Sequence, residues 1–262
     1  MLLRRLVLSA LLVGALSGLL LSAIQRWQVI PIIDTAERFE QARTPQLGGE
    51  PALEAARARA GAGHQPADHE HAAGTWEPAD GVERIGFTVL SNVLTAVGFA
   101  LVMLAAMAIL FRRSAARRQA ATKLDWRYGL LWGLAGYAVF FVAPALGLPP
   151  EIPGAEAAPL ESRQIWWVLT VVATAAGLAG AAFGKSPWRW AALALLVVPH
   201  LLGAPHLGAS PFADYPPDAA AEMTDLARRF VWASAFANGL FWIVLGSTSA
   251  WAARRFIKDA VV

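Results

Sequence analysis

Hydrophobic residues fall into six long stretches separated by short polar connections. Most of these stretches approach or exceed the roughly 20 apolar residues that a helix needs to cross a hydrocarbon core of about 30 Å. The stretches are Leu6–Ile24, Gly86–Phe111, Tyr128–Leu148, Ile165–Gly184, Trp190–Gly203 and Phe230–Ala253. The pattern predicts an all-α fold, a polytopic membrane bundle of six transmembrane helices, with five as the alternative count.

The connections between these stretches alternate in charge. One set holds thirteen of the 22 basic residues and only two of the nineteen carboxylates, Asp125 and Asp259. The other set holds all five histidines and the remaining carboxylates. The positive-inside rule then places both termini in the cytoplasm and the histidines outside. Six spans are favoured because five would leave Arg254, Arg255 and Lys258 outside.

Composition identifies an integral membrane protein. The chain has 262 residues, is 56% hydrophobic and has a mean hydropathy of +0.46, so we expect one membrane domain over residues 1–262. Its basic pI of 9.7 reflects juxtamembrane arginines and does not indicate a nucleic-acid partner. There is no cysteine, so a metal would be bound by nitrogen and oxygen, which favours divalent first-row ions over Cu(I).

No enzyme motif is present. The sequence lacks a Walker A motif, GxGxxG, HExxH and GxSxG, which excludes ATP-driven pumping by this chain itself and predicts a protein that is not an enzyme.

The N-terminal stretch has two readings. Arg4 and Arg5 before an apolar run are typical of a secretory signal peptide, but the run of about 19 residues exceeds the usual signal core. Gly14 and Gly18 have the spacing that permits close helix packing. We therefore expect a retained first span.

The first outer segment, residues 25–85, begins with a predicted amphipathic helix over Pro31–Glu40. Asp34 and Glu37 share a face of this helix and Glu40 continues it. Residues 44–73 follow with almost no large apolar side chain, so we expect a mobile linker there.

Three histidines and two carboxylates occupy eight residues of this linker. Such a set can surround one divalent ion, since imidazole and carboxylate are ligands for Co, Ni, Zn and Cu(II). The alternative is an ordinary polar linker. The histidines are His64, His69 and His71.

Two further outer segments carry candidate ligands. The proline-rich stretch Ala143–Gly154 predicts a partly buried cap, with Glu151 at its centre. Pro199 predicts a kink or break that leaves His200 near the outer membrane boundary, with His206 beyond it. A polar group at this depth is a functional candidate, although a histidine hydrogen-bonded to a neighbouring helix is equally consistent.

Two asparagines, Asn92 and Asn238, lie inside apolar stretches. Hydrogen bonds between helices explain both without any role in transport.

Several unusual strings together resemble one family, the CbtA family of proposed cobalt transporter subunits, bacterial proteins associated with cobalamin biosynthesis. The strings are Gln25–Pro31, Ala36–Glu40, the histidine run before Trp76–Arg84, Leu131–Tyr137, Ala143–Gly154, Arg163–Trp167 and Pro199–Pro205. The resemblance implies Co²⁺ as the transported ion, no permanently bound cofactor, and a small membrane partner, CbtB, with its own histidine motif. The histidine run here is shorter than the tracts of many relatives, which shifts weight to His200, Glu37, Glu40 and Glu151.

Three functions are therefore compared. The leading hypothesis is a subunit of a Co²⁺ (or Ni²⁺) uptake system in the bacterial inner membrane. Ions collected by the linker would pass to a site formed by His200 with outer carboxylates. The alternatives are a non-transporting metal-binding or regulatory scaffold, and a haem- or metal-dependent membrane enzyme using His200 and His206. The predicted metal residues are His200, His64, His69, His71, Glu37, Glu40, Glu151 and His206.

Overall fold

The structure, a computed structural model, describes residues 2–47, 78–79, 81–116, 126–184 and 187–257. Within these ranges all regular structure is helical. The helices are α1 (Leu2–Ile24), α2 (Ile30–Leu47), α3 (Val82–Ala116), α4 (Trp126–Tyr137), α5 (Ala143–Gly147), α6 (Leu160–Phe183), α7 (Trp188–Leu193), α8 (Val198–Leu202) and α9 (Pro217–Ala252). Single π-helical turns, Gln25–Val29 and Ala138–Val142, join α1 to α2 and α4 to α5, and a third, Ala253–Ile257, ends α9.

In the described part of the chain, five helices are long and apolar enough to cross a membrane. They are Leu2–Arg43, Val82–Arg112, Arg127–Gly147, Leu160–Phe183 and Pro217–Ile257. The other predicted span, Trp190–Gly203, is instead divided into α7, a 3₁₀ turn over Ala194–Leu196, and α8. The predicted break is confirmed: Pro199 lies in the first turn of α8, where its missing amide hydrogen costs no helical hydrogen bond.

Glycines allow the long helices to pack closely against each other in antiparallel pairs. A Cβ on Gly18 of α1 would lie 2.6 Å from the Cα of Val93 on α3, as the Gly14 and Gly18 spacing predicts. A Cβ on Gly129 of α4 would lie 2.7 Å from the Cα of Ser247 on α9. Within the bundle, α1 therefore pairs with α3 and α4 pairs with α9, and the two pairs meet where α1 packs against α9.

Arginines from three of the connections predicted to be basic lie together at one end of this bundle. Arg5 donates a hydrogen bond of 3.2 Å to the carbonyl of Phe256, which brings the first and last described helices together there. The antiparallel pairing places Arg112 and Arg127 at the same end, which we call the basic end. The opposite end, with the carboxylates of α2 and of the loops before α6 and α9, is the acidic end.

The segment α7–α8 runs back along α6 towards the acidic end. The indole Nε1 of Trp166, near the start of α6, donates a hydrogen bond of 3.1 Å to the carbonyl of Pro199. The next loop then joins the acidic end, where the amide of Glu156 donates to the carbonyl of Pro211 at 2.9 Å. Consequently α6 and α9 begin at the same end.

An aromatic layer fills the middle of the bundle. The ring centroids of Phe99 and Phe140 lie 4.8 Å apart, and Trp242 lies 4.8 Å from Phe99 and 5.4 Å from Phe140. Phe241 and Trp242 are both buried. We call these four residues the aromatic layer, which joins the two helix pairs.

A second apolar cluster forms a cap at the acidic end. It contains Ile152, Phe212, Tyr215 and Met223 from the loops and the start of α9, packed against Ala36 of α2. A cap built from the proline-rich stretch is therefore present, but Ile152 is its buried residue. Glu151 does not lie at the centre, because a carboxylate among these apolar side chains would lose its hydration.

Replacing Gly246 with Ala should destabilise the protein by about 1–3 kcal/mol, because its Cβ would lie 2.7 Å from the Cα of Gly133 on α4. The control is Gly98→Ala, where a Cβ meets no atom within 4 Å and alanine is the better helix former. Thermal unfolding in detergent should show a lower Tm for Gly246→Ala alone. Equal Tm values for the two variants would contradict the close α4–α9 packing.

Candidate functional site

A cleft of about 880 Å³ opens between three helical walls near the acidic end. One wall is the α1–α2 helix, the second is the first half of α3, and the third is the part of α9 from Phe230 to Asn238. Asp34, Glu37 and Arg84 line the part of the cleft nearer the acidic end, and Asn92 and Asn238 line the part farther from it along their helices. The cleft joins the amphipathic face predicted for α2 to the two asparagines predicted inside the spans.

Amide side chains form the floor of the cleft. The Nδ2 of Asn92 donates to Ser22 Oγ at 3.0 Å and to Gln25 Oε1 at 2.7 Å, which ties α3 to α1. Asn238 instead donates to the carbonyl of Ser234 in its own helix at 2.9 Å. Interhelical bonding is therefore confirmed for Asn92 but not for Asn238.

The floor lies closer to the basic end than the thickness of a hydrocarbon core. Sixteen residues separate Asn238 from Arg254 at the basic end. At a rise of 1.5 Å per residue this is about 24 Å, less than the thickness of a hydrocarbon core of about 30 Å. The cleft therefore carries polar groups below the level of the acidic-end loops.

The π-helical turn aligns one wall of the cleft. Residues four apart drift by about 40° per step around an α-helix, and a wider π turn offsets part of this drift. As a result Gln25, Val29, Ile33, Glu37 and Gln41 all line the cleft, although they span both α1 and α2. The turn thus connects the polar floor to the charged mouth along one surface.

A bidentate ion pair crosses the mouth. Arg84 Nη1 of α3 donates to Glu37 Oε2 of α2 at 3.2 Å, and Arg84 Nη2 pairs with Glu37 Oε1. Asp34 lies one turn before Glu37 and lines the same cleft. The shared face predicted for Asp34 and Glu37 is therefore present.

Glu40 faces the cap and does not continue that face into the cleft. A Cβ on Gly154, which has a φ of +78°, would lie 3.4 Å from the Cβ of Glu40. Beside it, the guanidinium of Arg43 lies 4.8 Å from the ring centroid of Tyr215. A side-chain hydrogen bond with Asp214 raises the pKa of the Glu156 carboxyl, and the negative charge of Asp214 adds to this shift.

Glu151 and His200 lie along the start of α6 and do not line the cleft. Glu151 pairs with Arg163, one turn before Trp166. The imidazole of His200 stands edge-on to the Trp166 indole, with ring centroids 5.7 Å apart. These two candidate ligands are neighbours of one helix, separate from the Glu37 cleft.

The remaining candidates are not joined to either group. His206 is exposed in the loop after α8. His64, His69 and His71 lie outside the described residues. Among the residues that the structure does describe, no three histidine, aspartate or glutamate side chains form a group suited to a metal ion.

Two residues of the cleft, Gln25 and Arg84, were not predicted from the sequence as functional residues. Gln25 lies one turn after Ser22, so both could have been expected on the face that receives Asn92. Arg84 lies in the first turn of α3, and its pairing with Glu37 depends on how α2 and α3 approach each other, which no single residue signals.

The sequence profile of one family, described as "Probable cobalt transporter subunit (CbtA)", matches residues 3–254. The match covers the cleft, the cap and nearly the whole of the five long helices that the structure describes. No curated protein and no solved structure shows significant similarity to the chain. The chain therefore belongs to the CbtA family of probable cobalt transporter subunits.

Proposed function

We propose that the chain is the membrane subunit of a Co²⁺ uptake system, with Ni²⁺ as a second cargo, in the bacterial inner membrane. The observation that carries this proposal is the cleft, because it connects Asp34 and Glu37 at the acidic end to Asn92 and Asn238 at membrane depth. Carboxylate and amide oxygens suit a hydrated divalent ion, and a polar lining lowers the cost of its entry.

In the proposed orientation the acidic end is outside and both termini are cytoplasmic. The chain then forms one membrane domain with six passes, the α7–α8 segment supplying the broken one. The return of α8 to Trp166 and the contact of Arg5 with Phe256 support this path. Inward movement of a dication is favoured by about 2.3 kcal/mol per charge per 100 mV, so ATP is not required in principle.

The linker histidines are proposed to collect ions at the mouth. Pro78 lines the cleft and follows His71 by seven positions. A fully extended chain of this length spans about 25 Å, which is the greatest possible distance from Pro78 to His71. A tethered ligand within this radius raises the local concentration of ions at the mouth.

The aromatic layer lies between the cleft and the basic end, so transport requires a rearrangement of the two helix pairs. A CbtB-like partner is proposed to take part, in keeping with the family's description as a transporter subunit. Non-enzymatic transport, with no permanently bound cofactor, is the role proposed for this chain.

Asn238→Leu should reduce Co²⁺ uptake by about tenfold or more in cells that express the chain with its partner. Its amide bonds only within α9, so leucine removes a polar lining group while leaving the helix contacts in place. The control is Thr248→Val on the same helix, whose hydroxyl bonds to the carbonyl of Val244 far from the cleft. Equal uptake by both variants and the wild type, at equal membrane levels, would contradict the cleft as the route.

His200 is proposed as a metal ligand on the α6–α8 side. His200→Ala and His200→Gln should both lose Co²⁺ uptake with normal insertion, since an amide is a poorer ligand for divalent first-row ions than imidazole. The variant His200→Phe keeps an aromatic ring against Trp166 but removes the nitrogen ligands, so it separates a packing role from a ligand role. Uptake restored by His200→Phe would show that the residue serves the Trp166 contact. Uptake restored by His200→Gln would show that a polar side chain is sufficient, and either result would contradict the ligand role.

A further inference from the structure

We propose that Arg84 is a tethered cation that occupies Glu37 until a divalent ion displaces it. This inference rests on the proposed function and adds a regulatory contact to the same cleft. Arg84 would then set how much Co²⁺ is needed to enter the cleft and would favour dications over monovalent ions.

The ion pair between Arg84 and Glu37 closes the mouth of the cleft. The two terminal nitrogens of Arg84 contact the two carboxylate oxygens of Glu37, so the pair joins α2 to α3 across the cleft. A bidentate fork of this kind fixes direction as well as distance. While it persists, the oxygens of Glu37 that face Arg84 are occupied.

A cation from solvent can nevertheless replace Arg84 at Glu37. The side chains of Arg84 and Glu37 are 44% and 27% exposed. Ion pairs of such exposure shift an equilibrium by no more than about fivefold. A dication carries twice the charge of a guanidinium and can also bind the carboxylate of Asp34 in the same cleft. A monovalent ion carries no more charge than the guanidinium, so it competes less well for Glu37.

The net charge of the cleft favours a mechanism in which the dication displaces Arg84 over one in which it binds while Arg84 stays in place. Its lining holds three arginines, Arg26, Arg38 and Arg84, and two carboxylates, Asp34 and Glu37, a formal sum of +1. This charge opposes a dication as long as every guanidinium stays in place. Movement of Arg84 toward solvent removes one of these charges and frees one carboxylate.

Calorimetric titration of the purified full-length chain in detergent with Co²⁺ alone tests the proposal. Arg84→Gln should tighten Co²⁺ binding about fivefold, and Arg84→Lys, which keeps the charge, should stay within about twofold of wild type. The matched control is Arg228→Gln, which removes a basic residue paired with Asp225 at the acidic end, outside the cleft. It should leave the affinity unchanged.

The Glu37→Gln background separates displacement from general charge effects. There, adding Arg84→Gln should no longer tighten binding, because the occupied carboxylate is gone. Unchanged or weaker binding by Arg84→Gln, with an unaltered Tm, would overturn the proposal, as would full tightening in the Glu37→Gln background. Absence of Co²⁺ uptake by the wild-type chain with its partner would instead remove the proposed transport while leaving the binding result readable.

Discussion

The cleft depends on a requirement of the membrane interior, where a polar side chain must find its hydrogen-bond partners within the protein. Asn92 meets this requirement with Ser22 and Gln25, the last turn of α1 and the first residue of the π turn. In membrane proteins such bonds contribute about 0.6 kcal/mol on average, so their effect lies in position more than in stability. They fix α3 against α1 at the point where the helix continues into α2, and thereby place Glu37 opposite Arg84.

Close glycine contacts and the aromatic layer determine where the cleft ends. Gly14 and Gly18 bring α1 against α3, and the glycines of α4 and α9 do the same for the second pair. Between the pairs the rings of the aromatic layer fill the space that small residues cannot. The cleft is thus bounded by apolar packing toward the basic end and by charged groups toward the acidic end, a polarity that suits capture at one face of a membrane.

Much of the architecture follows from the sequence, because apolar length, charge alternation and glycine spacing are local signals. They predicted six spans, of which five correspond to long helices in the described part of the chain, together with the break near Pro199 and the shared face of Asp34 and Glu37. The division of Trp190–Gly203 was only partly foreseen, since a break near Pro199 does not by itself imply the 3₁₀ turn before it. The placement of Glu40 against the cap, of Glu151 beside Arg163 and of His200 on Trp166 depends on tertiary packing, which has no single-residue signature. The linker histidines lie outside the described residues and stay a prediction.

Accessibility of the cleft floor tests the central claim most directly, and the absence of native cysteine makes any introduced thiol unique. In intact cells, Asn238→Cys should react with a membrane-impermeant maleimide added from outside, and Co²⁺ should slow this reaction. Ser249→Cys, fully buried beyond the aromatic layer, should stay unlabelled. An Asn238→Cys chain that reacts only after the cells are permeabilised, or at a rate that Co²⁺ does not change, would contradict a cation cleft open to the outside.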